Sequence, residues 1–85
     1  MPTLLEHPIT MPDIGAGRWR VEVCSWLADL GEVVHEGDRL VEVSLPGMTF
    51  DVNAPADGRL IAIEKNIGDQ VQPGDVLGKL LLAKE

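Results

Sequence analysis

Lysine is missing from the first 64 residues of this chain, tyrosine is missing throughout, and cysteine occurs once. Each scarcity excludes something. A single cysteine, Cys24, allows no intrachain disulfide and argues against a cysteine-based metal site. It lies in the apolar run Val21–Trp26, where a small buried hydrophobe is the expectation. Aromatic residues number three, Trp19, Trp26 and Phe50, so a core must be built from Val, Leu and Ile. Basic charge is thin as well: 7 Lys and Arg stand against 14 Asp and Glu, for a net charge of −7. That balance disfavours nucleic acid or an anionic membrane as a partner. No apolar run reaches the roughly 18 residues of a membrane span, and no signal-peptide pattern opens the chain. A soluble cytoplasmic protein is expected. The 85 residues suffice for one domain with a small core.

What is present is a repeat. Residues 31–43 read GEVVHEGDRLVEV and residues 68–80 read GDQVQPGDVLGKL. A shift of 37 positions lays Gly31 on Gly68, Val34 on Val71, Gly37 on Gly74, Asp38 on Asp75 and Leu40 on Leu77. Upstream, Trp26 falls on Ile63 and Leu30 on Ile67. Two copies are too few for a solenoid and point instead to a pseudo-twofold β structure. The Gly-Asp pairs at 37–38 and 74–75 are turn signals, because Gly admits positive φ and Asp caps nearby backbone N–H groups.

Segments 20–27, 39–45, 49–53, 59–65 and 76–82 carry the alternating or continuous apolar pattern of short strands, and no segment has a sustained helical period. The expected core comprises Ile14, Val23, Trp26, Val34, Leu40, Val43, Val52, Leu60, Ile63, Val71, Leu77 and Leu80. Residues 1–8 read as a loose lead-in, 9–83 as the domain, and 84–85 as a chain end.

The residues that carry a family resemblance run in order. MPDIGAG at 11–17 is followed by Trp26-Leu27, Gly31 and EGDRLVEV at 36–43, then by APADG at 54–58 and VQPGDVLGKL at 71–80. This series resembles the lipoyl/biotinyl carrier domains, and its opening is most similar to the lipoyl domains of 2-oxo acid dehydrogenase acyltransferase components. The resemblance covers residues 9–83 without a gap. It implies an all-β barrel-sandwich hybrid, two antiparallel sheets of about four strands each, related by a pseudo-twofold axis. It also implies a swinging lysine at the tip of the central hairpin, in amide linkage to lipoate or biotin. Val43 to Thr49 covers that hairpin. Lipoyl domains typically have Asp-Lys-Ala, and biotinyl domains Met-Lys-Met, where this chain has Pro46-Gly47-Met48. Gly47 offers no amine, and a slip in alignment recovers none. No cofactor is therefore expected, with lipoate or biotin as the alternative if the unmodified reading fails.

Two readings of the tip remain open: Pro46-Gly47 simply closes a turn, or Leu45, Pro46, Gly47 and Met48 form an exposed tip that docks on a protein partner. A slightly wider loop than two residues is expected, since a Pro-Gly turn is not of the primed type that two-residue hairpins favour. Other residues carry less. Lys65, Lys79 and Lys84 read as solvated. His7 and His35 have no partners for metal or catalytic work. Gly15-Ala16-Gly17 is not a phosphate loop, because no helix follows. No nucleophile–base set is present, so no catalytic residue is named. The leading expectation is a non-catalytic protein-interaction or structural module, with components of a multienzyme complex as partners. The alternatives are a lipoyl carrier-type domain of an acyltransferase or a biotin carrier of a carboxylase-like complex.

Overall fold

The pleated segments close into two layers. The computed structural model describes residues 3–84, with side-chain surroundings for residues 4–83. Seven strands follow in order: β1 (Thr3–Thr10), β2 (Glu22–Trp26), β3 (Val33–Val34), β4 (Arg39–Leu45), β5 (Met48–Asn53), β6 (Gly58–Ile63) and β7 (Val76–Lys84). One sheet has the order β1-β7-β6-β3 and the other β2-β4-β5, and all pairings are antiparallel. No helix occurs among the described residues.

The 37-residue repeat survives in the register. Val33 pairs with Arg59, and the matching Gln70 pairs with Glu22 through an isolated bridge. Gly31 N donates to Leu60 O at 2.7 Å, and Gly68 N donates to Val23 O at 2.8 Å. His35 N donates to Asp38 Oδ2, and Gln72 N to Asp75 Oδ2, both at 2.9 Å. The expected fourth strand of the second sheet is thus reduced to the Gln70 bridge.

The core forms where the two inner faces meet. Nine of the twelve expected core residues are buried, while Ile14, Trp26 and Ile63 are half-buried at its rim. Ile9, Met11, Val21, Val41 and Leu82 are buried as well. Trp26 closes the rim in a specific way. Its Nε1 donates to Lys65 O at 2.8 Å, and its ring lies over Gly78. The repeat places Gly78 where the first half has Val41, and Ile63 where it has Trp26. A large residue thus faces a small one in this contact. A Cβ on Gly78 would stand 3.0 Å from the Trp26 ring and 2.5 Å from Ala62 O, closer than packing allows.

Two expectations are corrected here. Residues 3–8, expected as a loose lead-in, form most of β1 and pair with β7 from Thr3↔Lys84 onward, while residues 1–2 lie outside the described residues. β1 is an edge strand, which is where Pro8 can be tolerated without its N–H. Cys24, expected inside, is exposed. The β2–β4 register shifts between Val23 and Ser25, and this bulge leaves Cys24 outside the ladder and turned from the core.

Candidate functional site: the central hairpin and its flanking loop

β4 and β5 zip together to Leu45↔Met48, so only Pro46 and Gly47 remain to turn the chain. The loop is therefore two residues long and not wider. Gly47 takes φ +82°, the conformation that a Pro-Gly turn needs at its second central position and that side chains resist. Around it there is open space: a Cβ built on Gly47 meets nothing within 4 Å. Pro46, Gly47 and Met48 are exposed and Leu45 is half-buried. These four residues carry no side-chain amine, so a group held by an amide to a side chain has no attachment point at this tip.

The opposite end of the fold shows what the tip would be without its turn. The repeat lays Leu45 on Leu82, and Leu82 pairs with Leu5 as Leu45 pairs with Met48. There the two strands run on to Thr3 and Lys84 instead of closing. Lys84 thus belongs to the end away from the hairpin. Lys79 Nζ lies 4.0 Å from Glu64 on the four-stranded sheet. Lys65 follows β6, and its carbonyl receives the Trp26 indole.

Between β1 and β2 the repeat breaks. Met11 N donates to Asp75 O at 2.8 Å, and Ala54 N donates to Asp38 O at 2.7 Å, so Met11 matches Ala54 at a displacement of 43. From Glu22, which matches Arg59, the displacement is 37. The first half therefore holds six extra residues between these points. They form a loop pinned by Gly15 N donating to Asp13 Oδ1 at 2.9 Å and by Trp19 N donating to Ala16 O at 3.0 Å. Sequence reasoning missed this insertion. Laying Met11-Pro12-Asp13 beside Ala54-Pro55-Ala56 is the signal that could have found it.

The loop leans on the hairpin. Ile14, Ala16 and Trp19 on one side and Leu45, Met48 and Phe50 on the other line an open cleft of about 300 Å³. Phe50 and Met48 share the β5 face of the buried Val52, so the inner face of the hairpin runs past the end of the packed core. Trp19 is 62% exposed and Met48 59%. A second groove, of about 490 Å³, lies on the other side of the same loop, between Arg18 and Trp19 and the turn at Gln72–Pro73.

Elsewhere the chemistry is sparse. Among the described residues no three His, Cys, Asp or Glu side chains gather as metal ligands. His35 is exposed, 3.8 Å from Asp38, and His7 lies half-buried on β1. The Cys24 thiol is pushed up by a hydrogen bond to Glu42, then by desolvation and by the same carboxylate's charge, which makes it a poorer nucleophile at neutral pH. Among the described residues no helix is long and apolar enough to cross a membrane.

Comparison with known proteins fits this geometry. The family model described as "Biotin-requiring enzyme", the biotin/lipoyl family, matches residues 7–80. The lipoamide acyltransferase component of the branched-chain alpha-keto acid dehydrogenase complex of Pseudomonas aeruginosa is 35% identical over 87% of this chain, which spans 17% of that relative's length. The dihydrolipoyllysine-residue succinyltransferase component of the 2-oxoglutarate dehydrogenase complex of Azotobacter vinelandii is 38% identical over 68% of the chain and 14% of its own length. The solution structure of the lipoyl domain of the 2-oxoglutarate dehydrogenase complex of Azotobacter vinelandii superposes with a TM-score of 0.67 at 33% identity, covering 86% of this chain and 92% of that one. The all-β two-sheet fold, the repeat and the match across most of its length place this chain in the biotin/lipoyl domain family.

Proposed function

We propose that this domain keeps the lipoyl-type scaffold, has lost the attachment chemistry, and works as an unmodified, non-catalytic module that docks on a protein partner. Gly47 at the hairpin tip carries the proposal. In the family's pattern the tip presents a lysine, whereas here the tip and all of residues 1–64 are without one. Leu45, Pro46, Gly47 and Met48 then serve as a docking tip, not as the root of a swinging arm. The partners are components of a multienzyme complex of the 2-oxo acid dehydrogenase type, a reading supported by similarity to acyltransferase components.

Lys65, Lys79 and Lys84 do not replace the missing residue. None stands in a two-residue turn at the end of a hairpin, the shape that presents a side chain to a ligase and then to several active sites. Co-expression with a lipoyl ligase plus lipoate, and separately with a biotin ligase plus biotin, tests this directly by intact-mass spectrometry. The expected mass is that of the bare chain in both cases. A stoichiometric lipoyl or biotinyl adduct on any lysine overturns the proposal in favour of a carrier domain.

A further inference from the structure

We infer that the outer face of the four-stranded sheet binds a second copy of this chain, Leu81 against Leu81 across a twofold axis, with Arg59 of each copy opposite Glu6 of the other. This face belongs to the sheet that does not contain the hairpin, so it stands apart from the docking reading above. The repeat places two matched rows of residues on the two sheets. Across the four-stranded sheet, Val33 pairs with Arg59, Arg59 with Leu81 and Leu81 with Glu6. Across the other, Gln70 pairs with Glu22, Glu22 with Ser44 and Ser44 with Thr49. The second row is polar throughout, as a solvated face is. The first has Val33 and Leu81 where the second has Gln70 and Ser44. Leu81 alternates with the buried Leu80 and Leu82, so it points outward, and its row partners point with it. The β6–β7 register shifts between Leu60 and Ala62 as β2–β4 shifts between Val23 and Ser25, so Ile61 is the bulged residue where the other sheet has Cys24. Leu4 is 62% exposed, Val33 53% and Ile61 37%. An apolar patch on one of two matched faces is not needed by the core and marks an interface.

Charge selects the occupant. The face sets Glu6 and Glu64 against Arg59 and Lys79 and is neutral, on a chain that carries −7. Glu32, at its border, accepts from Asp29 N. The matched face of the other sheet holds Glu22, Glu42 and Asp51. Two copies therefore meet on the four-stranded sheet with less repulsion than on the other. From β6 to β1 the row reads positive, apolar, negative. A twofold axis lying in the interface along β7 turns this row onto its own reverse, which brings Arg59 over Glu6 twice and Leu81 over Leu81. Among the described residues neither Arg59 nor Glu6 makes an ion pair. The Arg59 guanidinium donates to Gly31 O and keeps further N–H groups for a carboxylate. Lys79 meets its own copy further along the axis, an unfavourable contact that Glu64, 4.0 Å from its Nζ, offsets. Four strands of about six residues span roughly 19 by 20 Å. That is about half of the ~800 Å² that each partner gives to a standard interface, so the dimer is weak.

Sedimentation equilibrium of this chain tests the inference. A monomer–dimer equilibrium is expected, with a Kd below about 1 mM. Arg59→Glu, which installs the charge of the matched Glu22, and Glu6→Arg should each weaken the dimer at least about tenfold, because each sets like charges face to face. An equimolar mixture of the two variants should recover association, since each chain then offers the charge that the other lacks, and a damaged fold cannot be repaired by mixing. The double variant Arg59→Glu/Glu6→Arg should dimerise alone. Amide shifts with rising concentration should fall on Leu4, Val33, Arg59, Ile61 and Leu81. A chain that stays monomeric up to about 1 mM, a dimer indifferent to both single variants, or a mixture no better than its components overturns the inference. So does growth past the dimer, which a closed twofold contact forbids, and so do concentration-dependent shifts confined to the hairpin. A ligase-dependent adduct strikes only the unmodified reading and leaves this face untouched.

Discussion

The two ends of this domain start from the same plan and finish differently. At one end, β4 and β5 close through Pro46-Gly47, with a long loop leaning against them. At the other, β7 and β1 make the matching pairs, Leu82↔Leu5 among them, and continue to Thr3 and Lys84. The matching loop there is only Pro55–Asp57, between Ala54 and β6. Register, turn caps and buried leucines repeat across the pseudo-twofold relation, whereas the inserted loop and the closed tip do not. What repeats is what a two-sheet core needs to fold. What does not repeat is more open to solvent, Trp19 and Met48 above all, and touches the core only through Ile14, Ala16 and Leu45.

Substitutions at repeat-related positions test the equivalence most severely. Leu40 and Leu77 are both fully buried and match under the repeat. Leu40→Ala and Leu77→Ala should each cost about 3 kcal/mol, within the usual range for buried leucine truncation. Chemical denaturation measures both, and losses differing by more than about 3 kcal/mol, beyond the site-to-site spread of buried leucine truncations, would break the equivalence. Gly78 sharpens the comparison, since it matches the buried Val41 but faces Trp26. Gly78→Ala should destabilise by about 2 kcal/mol, as overpacking does. Measured in a Trp26→Ile background, which is itself destabilised by loss of the ring and its hydrogen bond to Lys65 O, the cost of Gly78→Ala should be smaller but not zero, because Ala62 O remains in the way.

Smaller effects belong to the turns and the surface. Asp38→Ala and Asp75→Ala remove matching caps and should each cost about 1 kcal/mol, the net value of one such hydrogen bond. Unequal losses in thermal melts would mean that the two turns are not equivalent. At Cys24 the carboxylate of Glu42 holds the thiol pKa up, so the reactive thiolate forms only at higher pH. Alkylation by iodoacetamide at pH 8 should be slower than for a free cysteine, and Glu42→Gln should speed it. An unchanged rate in that variant would remove Glu42 as the cause.

The fold was legible because its signals were local and doubled. Gly-Asp turns at 37–38 and 74–75, with apolar alternation between them, gave the repeat, and the repeat gave the pseudo-twofold sandwich. β1 escaped notice because Pro8 interrupts its alternation and its partner strand lies at the other end of the chain. Cys24 escaped because a bulge is a tertiary event: the run Val21–Trp26 reads apolar whichever way its third-from-last residue points. Gly47 was readable as a turn glycine, and its positive φ follows from the preceding proline. The cleft was not readable, since it depends on a loop whose extra residues emerge only from two hydrogen-bond patterns set side by side.

The central claim is that a carrier scaffold persists here without its attachment residue. The most direct measurement compares the parent with Pro46→Asp/Gly47→Lys/Met48→Ala, each co-expressed with lipoyl ligase and lipoate and weighed intact. Space is available at position 47, and the strain of positive φ, about 1 kcal/mol or more for a side chain, is relieved by removing Pro46 together with Gly47. The account predicts a bare parent and a triple variant carrying one lipoyl group at position 47. A lipoylated parent, or a folded triple variant that the ligase ignores, would contradict it.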